Sequence, residues 1–132
     1  MKLSQINFNL SEPSKLEIKN PVTKQSFETP AFIYLMSIES KEGKQCQLGM
    51  YKDLMLAREA KATKEEPTPE EIKEASLKYL PMLITGWEGI EAEDGTPLEY
   101  NQENAVNLLN NYELIYNFVN IESSRLSNFT KG

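Results

Sequence analysis

The chain has no histidine, one cysteine, one tryptophan and two arginines among its 132 residues. Each scarcity removes a class of function. Without histidine there is no imidazole general base, no Ser-His-Asp or Cys-His arrangement, and no ordinary zinc site. With Cys46 alone no intramolecular disulfide can form, and a lone cysteine most often behaves as a small, partly buried hydrophobe. No stretch nears the roughly 20 apolar residues of a membrane span, and the opening Met1-Lys2-Leu3-Ser4 lacks a signal peptide's apolar run. A soluble, cytosolic protein without membrane contact is expected.

Basic residues are also few. The formal net charge is −6, and between Glu88 and Glu103 six acids (Glu88, Glu91, Glu93, Asp94, Glu99, Glu103) stand without a base. Phosphate contacts require clustered Lys and Arg, so nucleic-acid binding is not expected. The simplest meaning of such an acidic run is a solvated face. Calcium binding would need the alternating ligands of an EF-hand loop, which are absent, and Asp94-Gly95 serves a tight turn equally well. No glycine pattern matches a phosphate-binding loop. An enzyme is therefore not expected, nor a metal or any other cofactor.

What remains is apolar patterning. At 39% apolar and 26% charged residues, the composition is that of a globular domain. A chain of this size buries about two-thirds of its unfolded surface without a staple. Residues 1–40 read as β structure. Leu16 and Ile18 alternate with charged neighbours, Asn20-Pro21 opens a turn, and the apolar run from Ala31 to Ile38, with Pro30 at its start, suits a strand covered on both faces. Leu48, Tyr51, Leu54, Met55 and Arg58 recur at helical spacing across 45–64, where Gly49 should weaken the first turn.

A second helix begins with Thr68, Pro69 and Glu71 as a capping box, and Pro81 should kink or end it near Tyr79. Next comes a short hairpin. A three-residue loop, Glu93-Asp94-Gly95 with Gly95 left-handed, sets Ile90 opposite Leu98, and Pro97 marks an edge. Asn101 caps a third helix with Val106 and Leu109 inward, and a last helix is expected from about Tyr112 to Ser127. The fold class is thus α+β: a small N-terminal antiparallel β element, then a helical region with one short β-hairpin. The chain reads as a single domain, 1–132, with a β-rich lobe at 1–43 and a mainly helical lobe at 44–132 whose hairpin lies near 88–99.

Two features point to binding. Trp87 either packs the hairpin against the helices or anchors a partner. The last helix is apolar around most of its circumference, so it must be buried in its own domain or in a complex. The candidate partner-binding residues are Trp87, Tyr112, Leu114, Ile115, Tyr116, Phe118 and Val119, facing another protein or a second copy of the chain.

The segments Ile84-Thr85-Gly86-Trp87-Glu88-Gly89-Ile90, Glu93-Asp94-Gly95-Thr96-Pro97-Leu98, Tyr100-Asn101-Gln102-Glu103-Asn104 and Leu108-Leu109 resemble the tail assembly chaperones of long-tailed phages. Those proteins often show a Gly-Trp-x-Gly-hydrophobic motif, an Asp-Gly turn, a Pro-hydrophobic pair and an aromatic residue before Glu-Asn. The run Leu16-Glu17-Ile18-Lys19-Asn20-Pro21-Val22-Thr23 and Ile38-Glu39-Ser40 are similar to their early strand and turn. Two departures stand out: Lys24 where glycine is common, and Glu39 where aspartate is common. The resemblance covers about half of the chain. It implies a stoichiometric binder, working without ATP, that keeps the tape measure protein soluble and recruits tail tube protein. Such a binder acts in the host cytoplasm and is missing from the finished virion. Two other readings stand beside it: a structural tail or head-completion component, and an acidic inhibitor of a host nucleic-acid enzyme.

Overall fold

A computed structural model describes residues 1–6, 8–62 and 64–130. The α+β expectation holds. A short 3-10 turn at Leu3–Ile6 precedes strands β1 (Ser14–Lys19) and β2 (Ser26–Leu35). Helices α1 (Lys41–Lys61) and α2 (Pro69–Tyr79), a 3-10 turn (Leu80–Leu83) and strand β3 (Ile84–Glu88) follow. Helices α3 (Gln102–Asn111) and α4 (Glu113–Glu122) and a final 3-10 turn (Leu126–Phe129) complete the order. The sheet is antiparallel, ordered β1-β2-β3. Asn7, within the stretch read as β structure, lies outside the described residues.

The third strand is the main departure from expectation. Residues 84–88 do not form a free hairpin arm; they pair with β2, Ile33 facing Trp87 and Tyr34 facing Gly86. This pairing joins segments more than fifty residues apart, which local patterning cannot register. The hairpin beyond it keeps only one bridge, Glu91 to Pro97. Its loop is nevertheless the three-residue one. Ala92 N donates to Thr96 O (2.8 Å) and Leu98 N to Ile90 O (2.9 Å), setting Ile90 against Leu98, with Gly95 at φ 86°.

Strand β2 is not covered on both faces. Ile33 and Leu35 are fully buried, whereas Phe32 and Tyr34 on the opposite face are only half-buried. On that outer face Lys15 Nζ lies 4.5 Å from the Phe32 ring centre and 3.1 Å from the Glu88 carboxylate. Pro30 lies inside β2 and not at its start, yet it costs no ladder hydrogen bond. The β1 register slips between Ile18 (opposite Ala31) and Lys19 (opposite Ser26), and β3 pairing starts only at Phe32. The strand also stops short of Ile38, because Met36 N and Ile38 N donate to Leu83 O and Ser123 O instead.

Helix α1 starts earlier than its bulky residues suggest. Ser40 caps it, its hydroxyl accepting from Gly43 N (3.0 Å). Its inner face runs through Gly43, Cys46 and Met50, while Leu48 and Tyr51 are exposed. Small residues on that face let the helix approach closely. Gly49 therefore does more than weaken a turn: a Cβ there would run into the Tyr79 ring of α2.

The α2 capping box forms as expected: Thr68 N donates to the Glu71 carboxylate (3.1 Å) and Glu71 N to the Thr68 hydroxyl (3.2 Å). The helix ends at Tyr79 ahead of Pro81. In α3 the inner residues are Ala105, Leu108 and Leu109; Val106 is turned outward, about 100° from Ala105. Helix α4 ends at Glu122, well before Ser127. Past it the chain turns so that Phe129 is buried, Asn9 N donates to Phe129 O, and Phe8 bridges Thr130. One apolar cluster, including Ile18, Ile33, Leu83, Ile84, Leu109 and Val119, joins the sheet to the helices.

Candidate functional site: a groove between the hairpin and the last two helices

The hairpin stands against α3 and the start of α4 and leaves an open groove of about 600 Å³ between them. Ile90 and Leu98 supply its hairpin wall and Leu108 and Ile115 its helical wall, with Tyr112 at the junction of α3 and α4. Trp87 holds the hairpin in place. Its indole Nε1 donates to Leu98 O (2.8 Å), and its ring meets Tyr100 edge to face at 5.1 Å. The Tyr100 hydroxyl in turn donates to Ile84 O (2.7 Å), fixing the hairpin's far arm to β3. Trp87, half-buried, thus positions a wall of the groove without lining it.

The polar part of the lining has two components. Asn104, Asn107 and Asn111 project from α3 at three- and four-residue spacing. Asn104 is engaged: its backbone N donates to Asn101 Oδ1 and its side-chain amide to Glu99 O. The side-chain amides of Asn107 and Asn111 make no hydrogen bond among the described residues. On the hairpin side, Glu91 and Glu93 line the rim and form no ion pair. Between Lys78 and Arg125 the sequence holds eight acids and no base. Three of those acids are matched from outside the segment: Glu88 by Lys15, Glu113 by Lys73 and Glu122 by Arg125. Glu91, Glu93, Glu99 and Glu103 are exposed and have no ion-pair partner among the described residues.

Helix α4 divides its apolar residues between two faces. Val119 is fully buried and Tyr116 nearly so, with Lys73 Nζ 5.2 Å from the Tyr116 ring centre; both are core residues, closed to a partner. Ile115 and Phe118 are half-buried. Tyr112 (51% exposed), Leu114 (39%) and Ile121 (51%) lie open. Leu114 and Ile121 lie exposed on a second face of the helix, and Phe118, spaced four and three residues from them, is half-buried and packs against the core. The candidate set of seven therefore splits: Tyr112 and Ile115 line the groove, Leu114 and Phe118 continue from it, Trp87 supports it, and Tyr116 and Val119 belong to the core. Ile90, Leu98, Leu108 and the asparagines were not singled out from the sequence. The Ile90–Leu98 pairing was the one available hint of this wall.

The single cysteine presents no exposed thiol. Cys46 is fully buried beside Met50 Sδ (4.0 Å), and burial pushes its thiol up to about 11. Among the described residues no cluster of three or more His, Cys, Asp or Glu side chains could hold a metal ion. Nor is any described helix long and apolar enough to cross a membrane.

The groove, α2, β3, α3 and α4 all fall within one stretch of family similarity. No curated protein and no solved structure matches the chain. A family model described as the YdaY prophage protein matches residues 50–132, well over half of the chain, and the protein accordingly belongs to the YdaY prophage protein family.

Proposed function

We propose that this prophage protein is a tail assembly chaperone, a non-catalytic binder that holds the tape measure protein soluble and helps recruit tail tube subunits. The observation that carries the reading is the apolar surface the chain leaves open: the groove edge at Tyr112 and the exposed Leu114 and Ile121 of α4, on either side of half-buried Phe118. Exposed apolar helical surface of this kind suits an amphipathic helical client, and the protein's net charge keeps such a surface soluble. The likeness of residues 84–109 to tail assembly chaperones supports the choice of client, and membership of a prophage protein family is compatible with it.

The test is co-expression with the tape measure protein of the same prophage. The soluble fraction of the tape measure protein should rise severalfold with the wild-type chain and fall back with Leu114→Lys/Ile121→Lys, both at exposed positions. No rise with the wild-type chain defeats the reading. Mass spectrometry of purified particles separates it from a structural tail component: a chaperone is missing from virions, a component is present.

A further inference from the structure

We infer that the groove between the hairpin and α3–α4 is built for one amphipathic helix carrying lysine or arginine along one flank. This rests on the proposed chaperone role only for the name of the client. The argument starts from the asymmetry of the walls. Both walls present apolar side chains, Ile90 and Leu98 on the hairpin and Leu108 and Ile115 on the helices, and accept a row of apolar side chains at helical spacing. One rim bears Glu91 and Glu93 without a countercharge, and the nearest acids along the chain, Asp94 and Glu99, add to the same sign. Among the described residues no base lines the groove. An acidic or neutral helix would leave these carboxylates unmatched beside desolvated apolar walls, whereas a basic flank meets them.

The opposite rim carries the unbonded amides of Asn107 and Asn111. These offer both donors and acceptors to a client's polar side chains and impose no charge preference. The occupant is thereby oriented: charged edge to the hairpin, neutral polar edge to α3. A second copy of this chain fits poorly through its α4, because exposed Leu114 and Ile121 there are flanked by Glu113 and Glu122 and by no base before Arg125.

The experiment uses the full chain and two synthetic 20-residue peptides with the same leucine face, one flanked by lysines and one by glutamates. Binding is followed by anisotropy of a labelled peptide and by the fluorescence of Trp87, the single tryptophan. At low salt the lysine peptide should bind at least about tenfold more tightly than the glutamate peptide, and the gap should close toward 0.5 M salt. Glu91→Gln/Glu93→Gln should weaken the lysine peptide about fivefold and leave the melting curve unchanged. Equal affinity for both peptides overturns the inference. So does an unaltered lysine-peptide affinity in the double variant, or a concentration-dependent dimer that the lysine peptide cannot dissociate.

The two readings fail separately. If wild-type and E91Q/E93Q chains rescue the tape measure protein equally, the groove assignment falls and the chaperone stands. If the peptides are discriminated but no tape measure protein is rescued, the groove assignment stands and the client is another basic helix.

Discussion

Lys24 sits in the β1–β2 turn at φ 62°, a left-handed conformation in a non-glycine residue. The turn around it is well tied: the Asn20 side chain accepts from Val22 N (2.9 Å) and Thr23 N (3.2 Å), and Lys24 N donates to Asn20 O (2.8 Å). The backbone at Lys24 has the shape that glycine favours. A left-handed L-residue costs about 1–2 kcal/mol, while glycine adds about 0.4–1 kcal/mol of unfolded-state entropy. Lys24→Gly should therefore stabilise by up to about 1 kcal/mol, read as a higher urea midpoint. Cys46 gives a second residue-scale test. With its thiol up to about 11 and its side chain sealed, alkylation at pH 8 should wait for unfolding. Rapid labelling of the native protein would contradict the burial described.

At the scale of elements, the α1–α2 contact shows packing overriding propensity. Gly49→Ala should raise helix propensity by up to about 1 kcal/mol. The added methyl, however, meets the Tyr79 ring, and overpacking typically costs about 1–3 kcal/mol. Net destabilisation is expected, measurable by thermal melting. The same pair of helices carries a pH dependence. Lys78 and the Tyr79 hydroxyl hold the Asp53 carboxyl below its usual range, and Lys61 with the Thr68 backbone does so for Glu71. A depressed folded pKa contributes stability that is fully present above the unfolded value near 4 and is lost as pH falls through the folded value. Asp53→Asn and Glu71→Gln should each lower the melting temperature at pH 7, and the deficit should fade as the pH drops below about 4. A deficit that stays constant from pH 7 to pH 3 would assign it to packing instead.

Across the whole molecule, α4 is the element where core and exposed apolar surface part company. Val119→Ala removes fully buried methyls and should cost roughly 2 kcal/mol by chemical denaturation, with little direct effect on a partner. Ile121→Lys, two residues on, changes a half-exposed side chain and should leave the melting temperature within about 2 °C while abolishing rescue of the tape measure protein. If both variants lost stability alike, the outer face would be core and no partner surface would exist there. The unmatched carboxylates act at this scale too, since the acid excess lies in the half of the molecule that forms the groove.

Much of the architecture was readable wherever its cause is local. The α2 capping box, its stop before Pro81, the Asn101 cap and the Gly95 loop each depend on residues within about four positions of one another, and each stands as the sequence indicated. The helical character of α4 and its unusual apolarity were equally plain. The sequence alone determined which residues are apolar, where helices start, and that histidine-based and disulfide chemistry are closed to the chain. Only the tertiary structure decided that β3 pairs with β2, that Cys46 and not Leu48 faces the core, and that Tyr116 is enclosed while Ile121 is open. It also raised Ile90, Leu98 and the α3 asparagines into one groove. The reason is physical: caps and turns are settled by neighbours along the chain, but which side of an apolar helix is covered depends on what remote segments bring against it.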